Sequence, residues 1–328
     1  MRHPLWKASE GSIAVLSLWV ITILAFLAAG LAQSVQQKTA VFEHLHSREE
    51  ARALEESVAK KAIAGIQESP LTLGLTATGK EWYYDPSAKT QTLDLNGGHV
   101  TLRIEDENAK INLNEADFSV LADLFAAVAH ADSDQANRLA GATVDFRDKD
   151  DYVTGEGSGG SEKGTYQQAG LTYGPKNGDF ESIEELLLVK GVTKEIYSLV
   201  ENYITIYGNG RVNVNTCQKE TLLALGLTET LAEKIMAFRS GRHPKKGGVS
   251  DARLFKDLAR IGSDLSGLEP LSDEDRESLI HALRHNDLSV TSDHFKLKGL
   301  ARTLEGRFSS TFVCVYGSRD GVKYWAES

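Results

Sequence analysis

The chain has 328 residues, with 36 Lys and Arg against 46 Asp and Glu, a net charge of −10 and only two cysteines. That length accommodates two or three domains. The acidic balance argues against a general nucleic-acid binder, which presents a basic face. Two cysteines, Cys217 and Cys314, exclude a disulfide scaffold and show no zinc-site spacing.

The N-terminus is the most informative stretch. Met1 to Glu10 is a stub carrying Arg2 and Lys7 against Glu10, Gly11 closes it, and Ser12 to Gln37 hold no charged side chain. An apolar run of about 20 residues spans a bilayer as a helix, and the basic stub puts the N-terminus in the cytoplasm. Three readings compete. A cleaved signal peptide would use the small residues Ala28-Ala29-Gly30-Leu31-Ala32, but its apolar core is ~7–15 residues. A plain signal anchor is the second. The third is a pilin-type leader cut after Gly11, leaving Ser12 as the new N-terminus. The border glycine and the abrupt start of the run favour the third. So does helix-forming sequence that continues through Ser34 to Ile66 with no Pro and only Gly65, placing Leu45, Ala53, Leu54 and Val58 among charges. The expectation is one helix about twice as long as a membrane requires.

Ser69-Pro70 ends that pattern. Strand-like runs follow at Glu81–Tyr84, Gln91–Leu95 and His99–Ile104, the last two separated by the hairpin signal Asn96-Gly97-Gly98. From Asn112 to about His285 the pattern is helical. Strands return at Leu288 to Arg302, Phe308 to Tyr316 and Gly321 to Trp325, with Gly317 to Gly321 joining the last two. Either one sheet is interrupted by an insertion or two small β domains flank a helical one. Because an isolated hairpin is marginal in water, one joined sheet is the better physical solution. The fold class is therefore α+β, a long N-terminal helix on a small antiparallel sheet with a large all-α insertion between strands. The expected boundaries are 1–11 leader, 12–37 transmembrane half-helix, 38–109 remaining helix and first strands, 110–286 insertion and 287–328 closing strands.

The insertion contains an internal echo. Lys110-Ile111-Asn112-Leu113-Asn114 recurs as Arg211-Val212-Asn213-Val214-Asn215, each followed by an amphipathic run. Two such entries imply two related lobes, about 110–210 and 211–286. Asn112, Asn114, Asn213 and Asn215 read as helix-entry devices, since an Asn oxygen can cap the first turn of the next helix. Three segments have the cast of helix–hairpin–helix pairs: Ile183 to Leu199 around Gly191, Leu222 to Phe238 around Gly226, and a weaker one at Leu258 to Gly262. DNA-binding versions offer Gly-x-Gly amides to phosphate with basic neighbours. Here the second glycine is missing, and Glu184, Glu185 and Glu195 surround the first turn. Packing turns are the reading these residues support.

Between the two Asn motifs, Asp145 to Tyr152 is acidic and Gly155 to Glu162 is glycine-rich. Hard cations take six to eight oxygen ligands. Asp148, Asp150, Asp151 and Glu162 are the candidate calcium ligands, against a solvated acidic loop; the spacing is not that of an EF-hand. Nothing in the sequence carries a nucleophile elbow, a zincin motif or a phosphate-binding lysine loop, so no enzyme is expected. The nine histidines are scattered, and the two cysteines read as small buried thiols.

Taken together, these residues resemble the type II secretion system protein K family, the large minor pseudopilin. The elements are the Gly11 junction, Ala109 to Asn114, Asp145 to Asp151 followed by Gly160-Ser161-Glu162, Asn177-Gly178 leading into Glu181 to Leu186, Arg211 to Thr216, and Lys323-Tyr324-Trp325. The resemblance implies a pilin-like fold with a large α domain and calcium in that domain. It implies leader removal by a prepilin peptidase and a single-pass inner-membrane location with a periplasmic body. The implied partners are minor pseudopilins of the I and J type and the inner-membrane platform. Most pilin-type subunits carry Glu at the fifth mature position, a costly intramembrane carboxylate. Here that position is Leu16, as the K family characteristically has it, which implies a subunit at the tip of the filament. Ser12 departs from the usual Phe or Met start, and Gly160-Ser161-Glu162 from the usual Gly-Ala-Glu. The alternative function is a membrane-anchored helix–hairpin–helix DNA receptor of the competence type.

Overall fold

The computed structural model describes residues 10–68, 90–154, 161–240, 254–267, 269–285, 287–304 and 308–328. The strand-like run Glu81–Tyr84 and the glycine-rich stretch 155–160 lie outside the described residues. In chain order the elements are α1 (Glu10–Glu68), β1 (Gln91–Leu95), β2 (Gly98–Asp106), β3 (Ile111–Asn112), α2 (Phe118–Ala129), α3 (Ser133–Arg147), α4 (Glu162–Gln168), α5 (Lys194–Val200) and β4 (Ile204–Thr205). Then follow β5 (Val212–Asn213), α6 (Lys219–Ala224), α7 (Glu229–Ser240), α8 (Ile261–Ser266), α9 (Asp273–His285), β6 (Leu288–Ser289), β7 (His294–Thr303), β8 (Ser309–Gly317) and β9 (Gly321–Glu327).

α1 runs 59 residues without a break, about 90 Å of helix. Within its apolar half the polar hydroxyls bond back along the helix: Ser17 to the carbonyls of Ile13 and Ala14, Thr22 to that of Leu18. Its large apolar residues from Ile13 to Leu45 are exposed. From Ala51 the helix acquires a buried face, Ala51, Leu54, Val58, Ala62 and Ile66, at the spacing of one helical stripe. That stripe packs on Val100, Leu102, Phe295, Leu297, Ala301 and Cys314 of the sheet.

The sheet has five antiparallel strands in the order β1-β2-β7-β8-β9. β2 and β7 pair along their whole length, from Gly98 opposite Thr303 to Asp106 opposite Phe295. Everything between Asp106 and His294 is therefore an excursion from one ladder. The stretch expected as one strand from Leu288 is two: β6 pairs with β5 in the insertion, and β7 begins at His294. Gly299 lies opposite Phe312, whose ring fills the space a side chain would need and stacks on Trp325 at 5.2 Å.

The ladder ends where three consecutive polar residues are buried. Asp106 accepts from the backbone N–H of Asn108 (2.9 Å), from the hydroxyls of Ser292 and Thr216 (2.5 Å each) and from Nδ2 of Asn213 (3.4 Å). Glu107 accepts from the Thr205 hydroxyl (2.5 Å) and from Lys110 (2.6 Å). The Asn108 side-chain oxygen accepts from the backbone N–H groups of Asp293 and His294. Each residue reaches a different element: Asp106 the second half of the insertion, Glu107 the first half, and Asn108 the returning strand.

The insertion is built twice. β3 pairs in parallel with β4, and β5 pairs in parallel with β6, so each Asn motif enters beside the end of its own helical repeat. The two repeats share one apolar core, from Ile111 and Leu113 through Phe125, Phe146 and Leu186 to Leu231, Phe255 and Leu288. Helix α2 of the first repeat packs on α6 of the second. Gly191 and Gly226 have φ of 89° and 76° and make tight turns. Gly262 does not: it lies inside α8, which continues directly from the short helix Leu258–Arg260, so the third expected hairpin is absent. Because Asn108 holds two part-buried backbone donors, Asn108→Ala is expected to destabilise the folded body by about 2–3 kcal/mol, read as a lower denaturation midpoint at unchanged m-value.

Candidate metal centre and asparagine clasps

Three carboxylates converge where α3 ends and α4 begins. Asp145 lies in the last turn of α3, Asp148 follows its end, and Glu162 opens α4. Ligand atoms of all three lie within 4.8 Å of one another. Glu162 is fully buried, and neither of its oxygens has a hydrogen-bond partner among the described residues; one oxygen of Asp148 is in the same position. Asp145 is anchored by the backbone N–H of Thr154 at 2.8 Å. Burial, then the charges of Asp148 and Asp145, push the Glu162 carboxyl up to about 8. Burial also raises Asp145 and Asp148.

Of the four sequence-derived ligands, the fold brings together Asp148 and Glu162 but not Asp150 or Asp151. Asp150 accepts from the backbone N–H of Tyr152, and its carbonyl accepts from Asn177 Nδ2. Asp151 accepts from the Ser161 hydroxyl beside the Tyr152–Ser161 bridge. Both brace the loop. Asp145 takes the third place and was missed, although its i,i+3 spacing from Asp148 at a helix end puts both on one face. A buried carboxylate without a partner is costly, and a hard cation satisfies it with oxygen ligands. The donor set thus fits such an ion, which would neutralise the cluster and join α3 to α4.

The four asparagines do not cap helices. The residues preceding α2 and α6, Asp117 and Gln218, make no side-chain cap bond, and the Asn side chains point elsewhere. Asn112 Oδ1 accepts from the N–H of Asn114, and Asn213 Oδ1 from that of Asn215, 2.9 Å each. The second Asn of each pair then grips a distant backbone from both sides. Asn114 accepts from Phe180 N (2.7 Å) and donates to Phe180 O (3.0 Å). Asn215 accepts from Phe255 N (2.8 Å) and donates to Phe255 O (2.9 Å). A primary amide has the donor and acceptor to mimic a strand neighbour. The first Asn reaches the close of its repeat: Asn112 donates to the carbonyls of Tyr207 and Gly208, Asn213 to Ser292 Oγ.

The duplication extends further than the Asn motif. Phe146 stacks on Phe180 at 5.0 Å, and Phe238 on Phe255 at 4.3 Å. Arg147 donates to the carbonyls of Leu113 and Ala116, and Arg239 to that of Cys217. The signal was present as Phe146-Arg147 and Phe238-Arg239, and as Phe180-Glu181-Ser182-Ile183 and Phe255-Lys256-Asp257-Leu258. Cys217 and Cys314 are free buried thiols, the former pushed up to about 12 by burial.

A long apolar helix on a five-stranded antiparallel sheet, with an α insertion between β2 and β7, defines a pilin-like α+β protein. Residues 95–209 match the family model described as type II secretion system (T2SS), protein K. No curated protein matches the chain. Among solved structures, it is similar to a chain of the GspK-GspI-GspJ complex from the enterotoxigenic Escherichia coli type 2 secretion system, at 17% identity and a TM-score of 0.62, covering 87% of this chain and 98% of that one.

Two outcomes follow from this geometry. Asn215→Ala removes a clasp in which both backbone groups of Phe255 are buried; it is expected to cost about 2–4 kcal/mol in thermal or denaturant unfolding. In chelator, Glu162 holds its proton up to about pH 8 when folded but releases it near 4.5 when unfolded. The folded state therefore binds more protons across that window, and stability falls as pH rises from about 5 to 8. Glu162→Gln is expected to flatten that slope, measured as midpoint against pH.

Proposed function

We propose that this chain is the minor pseudopilin at the tip of a type II secretion pseudopilus, assembling with pseudopilins of the I and J type to start the filament. The observation that carries this reading is the division of α1. The last third of one 59-residue helix, from Ala51, is built into the body, and the part before it leaves as an exposed rod whose large apolar residues run from Ile13 to Leu45. Such a rod serves first as a membrane anchor and then as the packing element of a filament. Among the described residues, α1 is the one helix long and apolar enough to cross a membrane. The basic stub supports a cytoplasmic N-terminus and a periplasmic body at the inner membrane.

Gly11 and Ser12 fall in the first turn of α1, and the leader cut is placed between them, made by a prepilin peptidase. Leu16, the fifth mature residue, removes the intramembrane carboxylate of other pilin subunits, in keeping with an end position. The insertion, carried between β2 and β7, would crown the tip. Its ion is calcium, held by Asp145, Asp148 and Glu162; the ion would supply charge neutralisation and a cross-link between α3 and α4. The turns at Gly191 and Gly226 are packing turns, and Glu184 and Glu195 beside the first disfavour phosphate.

Full-length wild type is expected to lose its leader in cells with the peptidase, and Gly11→Ala to keep it, read by gel mobility and N-terminal mass. Full processing of the variant would remove the leader assignment. Calcium is expected to raise the melting temperature of wild type at pH 7.5, and chelator to lower it. Asp145→Asn combined with Glu162→Gln should abolish the difference.

A further inference from the structure

α4 is held to the insertion by one narrow face. Of its seven residues, two are buried, Glu162 and Tyr166. They stand four apart, so they are neighbours on one side of the helix. A helix this short is not stable alone in water, so α4 stays in place only while these two side chains stay inside. Glu162 is fully buried, and its oxygens lack a hydrogen-bond partner among the described residues. A carboxyl in that position costs free energy. Half of the buried face of α4 therefore opposes docking until the carboxyl is satisfied.

Tyr166 is the other half of that face, 1% exposed. Its hydroxyl oxygen accepts from the backbone N–H of Lys190 at 3.2 Å. Among the described residues that N–H has no other acceptor. Lys190 directly precedes Gly191, whose φ of 89° makes the turn before α5. On its other side the turn meets α3, where a side chain at Gly191 would come within 3.4 Å of Leu139. Charge adds a weaker tie, since the Lys190 ammonium favours the ionised form of Asp145. The carboxylate cluster and the Gly191 turn are thus joined by one short helix. The second repeat has no such arrangement. Its Phe238-Arg239 matches Phe146-Arg147, which puts Ala237 and Ser240 where the first repeat has Asp145 and Asp148.

We infer that cation binding at Asp145, Asp148 and Glu162 is transmitted through Tyr166 to the Gly191 turn. The neutralised cluster seats α4, α4 seats Tyr166, and Tyr166 holds the backbone of Lys190. Tyr166 is a positioning residue, acting through the helix it shares with Glu162. A bound ion also takes the place of the Lys190 charge beside Asp145, leaving the Tyr166 bond as the tie between the turn and α4. When the ion leaves, α4 and the turn loosen together, and the second repeat does not respond. This inference rests on the calcium reading and extends it from the ligands to a turn that supplies none.

The test measures amide hydrogen exchange of the full-length protein in detergent micelles at pH 7.5, with calcium and with chelator. Exchange reports local opening amide by amide. Calcium is expected to slow the Lys190 amide about tenfold or more, beyond any slowing at the Phe255 amide of the second repeat. Tyr166→Phe keeps the ring and removes the acceptor. In that variant the Lys190 amide should exchange fast in both buffers, while calcium still raises the melting temperature. Equal slowing at Lys190 and Phe255 in wild type means global stabilisation only and would overturn the relay. So would a calcium effect on Lys190 as large in Tyr166→Phe as in wild type. If the variant does not fold, the wild-type comparison of the two amides decides alone. If calcium leaves wild-type melting unchanged, the calcium reading fails first and the relay falls with it.

Discussion

The structure depends on burying three polar residues in a row. Asp106, Glu107 and Asn108 end β2 at the point where the chain leaves the sheet for an excursion that returns only at His294. An ordinary strand end would be solvated there. Here it is covered by both repeats of the insertion, and each side chain is satisfied by a different one of the elements that meet. Burial pushes Asp106 up to about 6, while hydroxyl donors from Ser292 and Thr216 offset part of that cost. Buried polar groups are expensive when half satisfied and specifying when fully satisfied. The junction therefore fixes how the helical insertion sits on the pilin sheet, which an apolar contact of the same area would leave freer to slide.

The same logic recurs inside the insertion. Each repeat closes a long loop, from Asn114 to Phe180 and from Asn215 to Phe255, without a continuous sheet to hold it. An amide side chain supplies the missing strand, gripping N–H and C=O of one phenylalanine while its ring stacks on another. Two-residue strands β3 to β6 complete the closure. The repeats thus obtain from side chains the backbone pairing that short strands cannot give, and one shared apolar core replaces two small ones. The carboxylate cluster at Asp145, Asp148 and Glu162 departs from that pattern: both oxygens of Glu162 and one of Asp148 lack a partner among the described residues, which is why it reads as a ligand site.

Several of these features were legible in the chain. The charge-free run and the absence of Pro from Ser34 to Ile66 speak of a long helix because they are local. The hairpin at Asn96-Gly97-Gly98 was legible for the same reason, as were the positive-φ turns at Gly191 and Gly226. The Asn repeats were visible as a pattern, but not their mechanism: capping is a local bond, whereas the observed partners are 40 and 66 residues away. The carboxylate cluster was half legible for a similar reason. Clustering by sequence density selected Asp150 and Asp151, while the helix face selected Asp145, and which carboxylates turn inward depends on how the loop is braced by Tyr152, Ser161 and Asn177.

The sequence by itself determined the long N-terminal helix, the α+β class and the existence of two related helical repeats, because periodicity and turn chemistry are properties of neighbouring residues. Tertiary structure alone decided that β2 and β7 share a ladder across nearly two hundred residues of insertion, that the two repeats pool one core, and which three carboxylates meet. It also decided which face of α1 is spoken for. The apolar spacing of Ala51, Leu54, Val58, Ala62 and Ile66 is written in the sequence, but only their packing shows that this stripe is the face laid on the sheet.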